Sequence, residues 1–135
     1  MSYHQGRLLD HVHLRVSDVD ASKRFYRAVL GALNLLGGYG EGEGYFYADE
    51  LYVDRAETDK SRVHLAFQAK SEHEVRAFHV AAIAAGGEDN GAPGPRSYHG
   101  KYYAAFALDP DGNSIEAVWH GPTDRSAESV FIERQ

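Results

Sequence analysis

A repeat of strand and helix patterns is the feature that most restricts how this 135-residue chain can fold. The segment HVHLRVSDVDASKRFYRAVLG begins at His11, and the segment HLAFQAKSEHEVRAFHVAAIAA begins at His64, 53 positions later. With the same offset, Phe25 of the first segment corresponds to Phe78 of the second. Self-similarity at a fixed period identifies structural units that fold alike and pack against each other. The sequence therefore predicts two similar modules.

Each copy of the repeat is typical of a strand followed by an amphipathic helix. Asp18 is the predicted N-cap of the first helix, and Ser71 and Glu74 form the S-x-x-E pattern of a capping box before the second. The second helix carries an apolar stripe at helical spacing, made of Val75, Phe78, Ala82 and Ala85. Gly86 and Gly87 then indicate where that helix ends.

Short strand patterns follow each predicted helix. In the first half they lie within LLGGYG, GYFYA and ELYVDRA, and the glycine-rich GGYGEGEGYFY lacks the lysine and following helix of a phosphate loop, so it indicates a hairpin. In the second half, KYYAAFAL and SIEAVWH flank DPDGN, where Pro110 and Gly112 favour a tight turn. We therefore predict an α+β fold of two βαβββ modules in one compact domain. The predicted boundaries are an N-terminal extension at 1–7, modules at 8–62 and 63–121, and a C-terminal tail at 122–135.

The composition excludes several classes of function. A net charge of −6 argues against nucleic acid as the main partner, because phosphate binding usually shows as a basic excess. No apolar run is long enough to span a membrane, and the start of the chain lacks the apolar region of a signal peptide, which favours a cytoplasmic protein. Since the chain has no cysteine and eight histidines, any metal would be bound by imidazole and carboxylate groups.

The polar faces of three predicted strands carry most of the candidate functional residues. By two-residue alternation these are His11, His13 and Arg15 on one strand, His64 and Gln68 on the second, and Glu116 and His120 on the third. If the two halves curl towards each other, His11, His64 and Glu116 meet in a shared concavity. Two imidazoles and one carboxylate form a triad that suits a divalent transition metal with open positions. Such a metal can polarise a substrate oxygen or acidify a bound water.

These segments resemble the vicinal oxygen chelate superfamily, which includes glyoxalase I, bleomycin-resistance proteins, fosfomycin-resistance transferases and extradiol dioxygenases. The similarity lies in LDHVHLRVSDVDASKRFYRAVLG, VHLAFQA and DPDGNSIEAVWH, and it extends over residues 8–120. It implies that the two modules form an eight-stranded open cup. It also implies a divalent ion (Fe²⁺, Mn²⁺, Zn²⁺ or Ni²⁺) bound by His11, His64 and Glu116. A fourth ligand, Asp54 or Glu50, stays open.

The resemblance also implies a class of activity. In such an enzyme the metal chelates two neighbouring oxygens of a small organic substrate and stabilises an enediolate- or catecholate-like anion, as in a lyase, an isomerase or a ring-cleaving dioxygenase. Single two-module chains of this kind commonly form homodimers, with the metal site either within one chain or shared between two. The open alternative is a non-enzymatic drug- or metabolite-binding protein of the bleomycin-resistance type. Its cup would be lined by Tyr45, Tyr47, Tyr52, Tyr102 and aromatic residues around Trp119.

The segment PGPRSYHGKYYAAF is dense in aromatic residues for a connection between strands. Extradiol enzymes of the superfamily place a histidine and a tyrosine near the metal, so His99 with Tyr102 or Tyr103 are the candidate catalytic residues. The predicted substrate contacts are His13, Arg15, Gln68, Arg96 and His120. The simpler alternative is a packed hairpin in which the tyrosines fill the core.

Overall fold

The computed structural model describes residues 2–133. The first module consists of β1 (Val12–Val16), α1 (Val19–Ala32), β2 (Tyr39–Gly42), β3 (Tyr45–Ala48) and β4 (Leu51–Arg55). The second consists of β5 (His64–Gln68), α2 (Glu72–Ala84), β6 (Glu88–Pro95), β7 (Tyr103–Leu108) and β8 (Ser114–Trp119). This order confirms the predicted α+β fold of two βαβββ modules.

Both modules build a four-stranded sheet with the same topology. The strand orders are β1-β4-β3-β2 and β5-β8-β7-β6. In each sheet the first and last strands of the module are parallel neighbours, and the other pairs are antiparallel. Within residues 2–133 the two sheets are separate, and no strand ladder closes them into a barrel. The first and last strands of each module are therefore side by side, which places their polar residues next to each other.

The helix caps form largely as the sequence predicts. Asp18 accepts a hydrogen bond from the N–H of Ala21 at 3.1 Å, and Ser71 Oγ accepts one from the N–H of Glu74 at the same distance. The carboxylate of Glu74 accepts from the N–H of Lys70 at 2.8 Å instead of from that of Ser71. The second hydrogen bond of the capping box therefore comes from the residue before the N-cap and not from the N-cap itself.

The DPDGN turn between β7 and β8 joins the two modules. Its buried Asp109 accepts from the hydroxyl of Tyr26 in α1, with an oxygen–oxygen distance of 2.6 Å. Asp111 accepts from the N–H of Ser17 at 2.8 Å, directly after β1. Within the turn, Asn113 donates to Asp109 at 3.0 Å and holds the carboxylate in place. This motif has a structural role, because it ties the first module to the second through buried polar contacts.

The remaining segments depart from regular structure. Strand β6 has two register shifts against β7, which follow from the glycines and prolines in Glu88–Pro95. Beyond β8, residues 122–133 form neither helix nor strand, although Arg125 donates to Gln68 Oε1 at 2.9 Å. Of the residues that the structure describes, no helix has the length and apolar character needed to cross a membrane.

Candidate functional site

The polar face of the second sheet brings His64 and Glu116 into direct contact. His64 lies on β5 and Glu116 on the parallel neighbour β8, and His64 Nε2 is 2.8 Å from Glu116 Oε1. The side chain of His64 is 50% exposed, whereas that of Glu116 is only 4% exposed. A buried carboxylate is therefore paired with an imidazole that still has access to solvent.

Two further side chains hold this pair in place. Ser114 Oγ lies 2.9 Å from His64 Nδ1, and the imidazole ring stacks on Phe106 with 5.9 Å between ring centroids. With Nε2 donating to the carboxylate, the hydroxyl of Ser114 donates to Nδ1. If a metal took the place of the Nε2 proton, Nδ1 would carry the proton and donate to Ser114. In either form the serine fixes the ring orientation, as outer partners of metal-bound histidines do.

Tyr102 completes the hydrogen bonding of the carboxylate by donating its O–H to Glu116 Oε2. Burial, together with this hydrogen bond, raises the pKa of the Tyr102 phenol well above its usual value of 10.0. The phenol therefore keeps its proton at neutral pH. As a hydrogen-bond donor, it positions the carboxylate of Glu116.

His99 and His120 form an imidazole pair beside Tyr102. His120 Nδ1 is 3.1 Å from His99 Nε2, and the two rings lie within 9° of parallel. The ring of Tyr102 meets both imidazoles edge-on, with centroid distances of 5.2 and 5.4 Å. Burial, reinforced by the neighbouring His99, lowers the pKa of His120 below the usual value of 6.5. His120 is therefore neutral at pH 7 and can accept a proton.

Other predicted site residues of the second module have different surroundings. Tyr103 packs against the hydrophobic core, on the opposite side of its strand from Tyr102. The guanidinium of Arg96 donates to the carbonyl oxygens of Ala92 and Gly94 and lies 5.3 Å from the centre of the Phe106 ring. Arg96 therefore ties the irregular β6 to β7, and its predicted contact with substrate stays a prediction.

The first module places its candidate residues on an open face of its own sheet. His13 Nε2 lies 2.7 Å from Asp54 Oδ1, and the ring of His13 meets Tyr52 edge-on at 5.1 Å. His11 Nδ1 lies 2.7 Å from Asp10 Oδ1. Asp54 is thus engaged with His13. On the same face, Arg15 of β1 lies opposite Asp54 of β4, and Glu50 and His11 line an open cavity.

The chain brings two of the three predicted metal ligands together. Among residues 2–133, no group of three histidine, aspartate or glutamate side chains is arranged to hold a metal ion. His64 and Glu116 fit two positions of a divalent ion, because imidazole nitrogen and carboxylate oxygen are both donors that such ions accept. His11 lies instead on the face of the other sheet. The triad of His11, His64 and Glu116 therefore stays a prediction.

Sequence reasoning named Tyr102, His99 and His120 as site residues, but it missed the role of Ser114 and the contact between the two histidines. Ser114 precedes Glu116 by two residues on β8, so alternation puts both on one face, but only the pairing of β5 with β8 shows that Ser114 faces His64. The contact between His99 and His120 joins a loop to the end of a strand, and no local pattern indicates it. Strand pairing is a non-local property, which explains why both were missed.

The chain has two βαβββ modules, and the second module carries a histidine on its first strand and a glutamate on its last strand. This arrangement points to a class of proteins. The sequence profile of the Glyoxalase/Bleomycin resistance protein/Dioxygenase superfamily matches residues 8–117. The chain therefore belongs to this superfamily, as the resemblance implied. No match was found among proteins of curated function.

Solved structures agree with this assignment. A glyoxalase/bleomycin resistance protein from Albidiferax ferrireducens is 32% identical, with a TM-score of 0.69 over 82% of this chain and 97% of that one. A glyoxalase-related enzyme from Fulvimarina pelagi has the same TM-score at 19% identity, covering 93% of this chain and 99% of that one. The fosfomycin resistance protein FosX from Listeria monocytogenes has a TM-score of 0.60 at 22% identity, covering 84% and 93%. The latter two similarities support the fold.

Proposed function

We propose that the protein is a divalent-metal-dependent enzyme that acts on a small organic molecule with two neighbouring oxygens. The observation that carries this proposal is the contact of half-exposed His64 with buried Glu116, supported on both sides by Ser114 and Tyr102. When bound, the metal would supply Lewis acidity that stabilises an enediolate- or catecholate-like anion. Membership of a superfamily that includes glyoxalases and dioxygenases supports this class of chemistry.

The metal site is completed across two copies of the chain. One chain presents His64 and Glu116 on the second sheet and His11 on the first, and no third ligand joins the pair within residues 2–133. In a two-fold symmetric dimer, the first sheet of each copy can face the second sheet of the other, which generates two equivalent sites. His11 of one copy would then join His64 and Glu116 of the other.

The protein's own groups have distinct roles in this proposal. Ser114 orients the imidazole of His64, and the protonated Tyr102 holds Glu116 in one rotamer. The pair of His99 and His120 handles protons, because its mutual hydrogen bond leaves His120 Nε2 and His99 Nδ1 for other partners. A neutral imidazole near the metal can take a proton from a substrate that the metal has acidified. Such a base serves lyase-, isomerase- and dioxygenase-like reactions alike.

Mixing two inactive variants tests both the metal and the sharing of its site. Neither His11→Ala nor His64→Ala should bind a stoichiometric divalent metal by itself. After the two are unfolded and refolded together, half of the dimers contain one of each, and every such dimer regains one intact site. About a quarter of all sites should then bind metal again.

The exposed His73 on α2 offers a matched control, because His73→Ala removes an imidazole that belongs to neither predicted ligand set nor strand face, and it should keep full metal binding. Metal content of protein purified without a histidine tag is the readout. If mixing restores nothing while each single variant is metal-free, the shared site is wrong. If the wild type binds no stoichiometric metal and His64→Ala binds ligands normally, the protein is a non-enzymatic binding protein instead.

A further inference from the structure

The segment before β1 lies against the polar face of the second sheet, although it precedes the first module in the sequence. Gly6 contacts the side chain of Gln68 on β5, since a Cβ atom added to Gly6 would fall 2.6 Å from the amide nitrogen of Gln68. The φ angle of Gly6 is +85°, a conformation that other residues rarely adopt. Both the close approach and the backbone conformation therefore require glycine at this position.

Two further contacts connect this segment with the second module. His4 Nδ1 lies 3.4 Å from Ser126 Oγ, which belongs to the segment after β8. The rings of Tyr3 and His99 are nearly perpendicular, at 89°, with centroids 6.0 Å apart. Residues 3–6 thus reach from the end of β5 to the loop between β6 and β7. We name residues 3–6 the N-terminal strap.

The segment after β8 fixes the surface on which the strap rests. Arg125 donates to Gln68 Oε1 at 2.9 Å and to the carbonyl oxygen of Ala69 at 3.4 Å. Because Oε1 accepts from Arg125, the amide nitrogen is the end of Gln68 that faces Gly6. The two terminal segments therefore meet at Gln68, and the strap contacts a side chain that is already held in one orientation.

The strap borders the candidate site on the side of the imidazole pair. Gln68 is aligned with Val118, which follows Glu116 by two residues on β8, or about 7 Å along the strand. At its other end the strap contacts His99, the hydrogen-bond partner of His120. The strap therefore lies beside the histidines that could carry protons, at the edge of the sheet face that presents Glu116.

We infer that the N-terminal strap is a wall of the candidate site and that Tyr3 is a positioning residue for the pair of His99 and His120. A perpendicular contact between two rings favours one orientation of each. Tyr3 thus limits the rotation of the His99 ring and screens it from water on this side. Fixed geometry and restricted access of water both favour proton transfer along the pair. The inference rests on the proposed function for the proton-handling role of the pair, whereas the contacts of the strap need no metal.

Chemical modification of the histidines in the metal-free protein tests this inference. Diethyl pyrocarbonate acylates accessible neutral imidazoles, and trypsin releases His99 in the peptide SYHGK, so mass spectrometry follows this residue alone. Tyr3→Ala should raise the modification rate of His99 at least about threefold, because it removes the ring that screens the imidazole. Tyr3→Phe keeps the ring and should keep the wild-type rate. Since Tyr3 is 64% exposed, neither change should unfold the protein.

Gly6→Ala tests the strap at its other contact. The added Cβ and the positive φ should displace the strap from Gln68, so His99 should again react faster than in the wild type. Gln5→Ala is the matched control, because it changes an exposed residue of the same strap and should leave the rate unchanged. His73, which trypsin releases in SEHEVR, should react equally in all variants. Circular dichroism confirms that each variant is folded.

Two results would overturn the inference. One is an unchanged rate at His99 in a folded Tyr3→Ala variant, and the other is an equal rise in Tyr3→Phe, which would show that the ring contact is not the cause. Metal content tests the proposed function separately. Tyr3→Ala should bind as much divalent metal as the wild type, because Tyr3 contacts His99 and not a predicted metal ligand. A wild type without bound metal would contradict the proposed function and leave the result at His99 intact.

Discussion

The hydroxyl of Tyr26 donates to Oδ2 of Asp109 across a distance of 2.6 Å, and both side chains are buried. Tyr26 belongs to the helix of the first module and Asp109 to the turn that precedes the last strand of the second. Burial, reinforced by the nearby Asp109 carboxylate, raises the pKa of Tyr26 well above its usual value of 10.0. The phenol is thus a permanent donor, and the modules are joined by a hydrogen bond to a charged acceptor.

Tyr26→Phe should lower the free energy of unfolding by about 1–2 kcal/mol, because it removes a buried donor to a carboxylate and leaves the ring packing unchanged. Urea unfolding followed by circular dichroism gives this value. Tyr39→Phe is the matched control, since it removes a hydroxyl that bonds to the exposed Glu41, and it should cost less than about 0.5 kcal/mol. Equal effects of the two changes would contradict the view that this hydrogen bond joins the two modules.

The contact of Ser17 with Asp111 should behave as a coupled pair. Asp111 accepts both the N–H and the hydroxyl of Ser17, and its side chain is only 3% exposed. Ser17→Ala and Asp111→Asn should each destabilise the fold, and the double variant should be less destabilised than their sum by about 0.5–1 kcal/mol. A double-mutant cycle on unfolding free energies measures this coupling. Strict additivity would show that the two residues do not act together.

The duplicated pattern was sufficient to predict the fold, because each module is specified locally. Caps at Asp18 and Ser71 start the two helices, and alternating residues identify the strands next to them. Strand β6 was harder to delimit, since its glycines and prolines obscure the alternation and its ladder contains register shifts. The features that could be predicted directly from the sequence were therefore those set by local residue patterns, namely helix caps and strand alternation.

The candidate site was only partly predictable, because it depends on which strands become neighbours. Alternation correctly placed Glu116 and His64 on polar faces, and the parallel pairing of β5 with β8 brings them together. The same reasoning joined His11 to them, on the condition that the halves of one chain curl towards each other. The two sheets share no strand ladder, so alternation within strands does not determine where His11 lies relative to the pair. Sequence patterns carry little information on that arrangement.

Ser114→Ala should weaken metal binding about tenfold without unfolding the protein, because it removes the group that orients the imidazole of His64. A competition titration with a chromophoric chelator measures the affinity. Ser97→Ala changes an exposed serine of the same module and should have no effect. Unchanged affinity in Ser114→Ala would show that the imidazole is held by Phe106 and Glu116 alone.

His120 should make the stability of the protein depend on pH. Burial and the neighbouring His99 lower its pKa in the folded state below 6.5, so the unfolded chain binds a proton at this residue before the folded protein does. Stability is therefore retained above about pH 6.5 and is lost as the pH falls from that value to the folded pKa, with no further loss from this residue below it. His120→Gln cannot bind that proton, so its unfolding free energy should fall less than that of the wild type between pH 7 and pH 5. The difference between the two slopes should correspond to a fraction of one bound proton. Urea unfolding at several pH values gives both slopes, and His73→Ala, which removes an exposed histidine, should keep the wild-type slope. A His120→Gln variant with an unchanged slope would show that this imidazole titrates alike in both states.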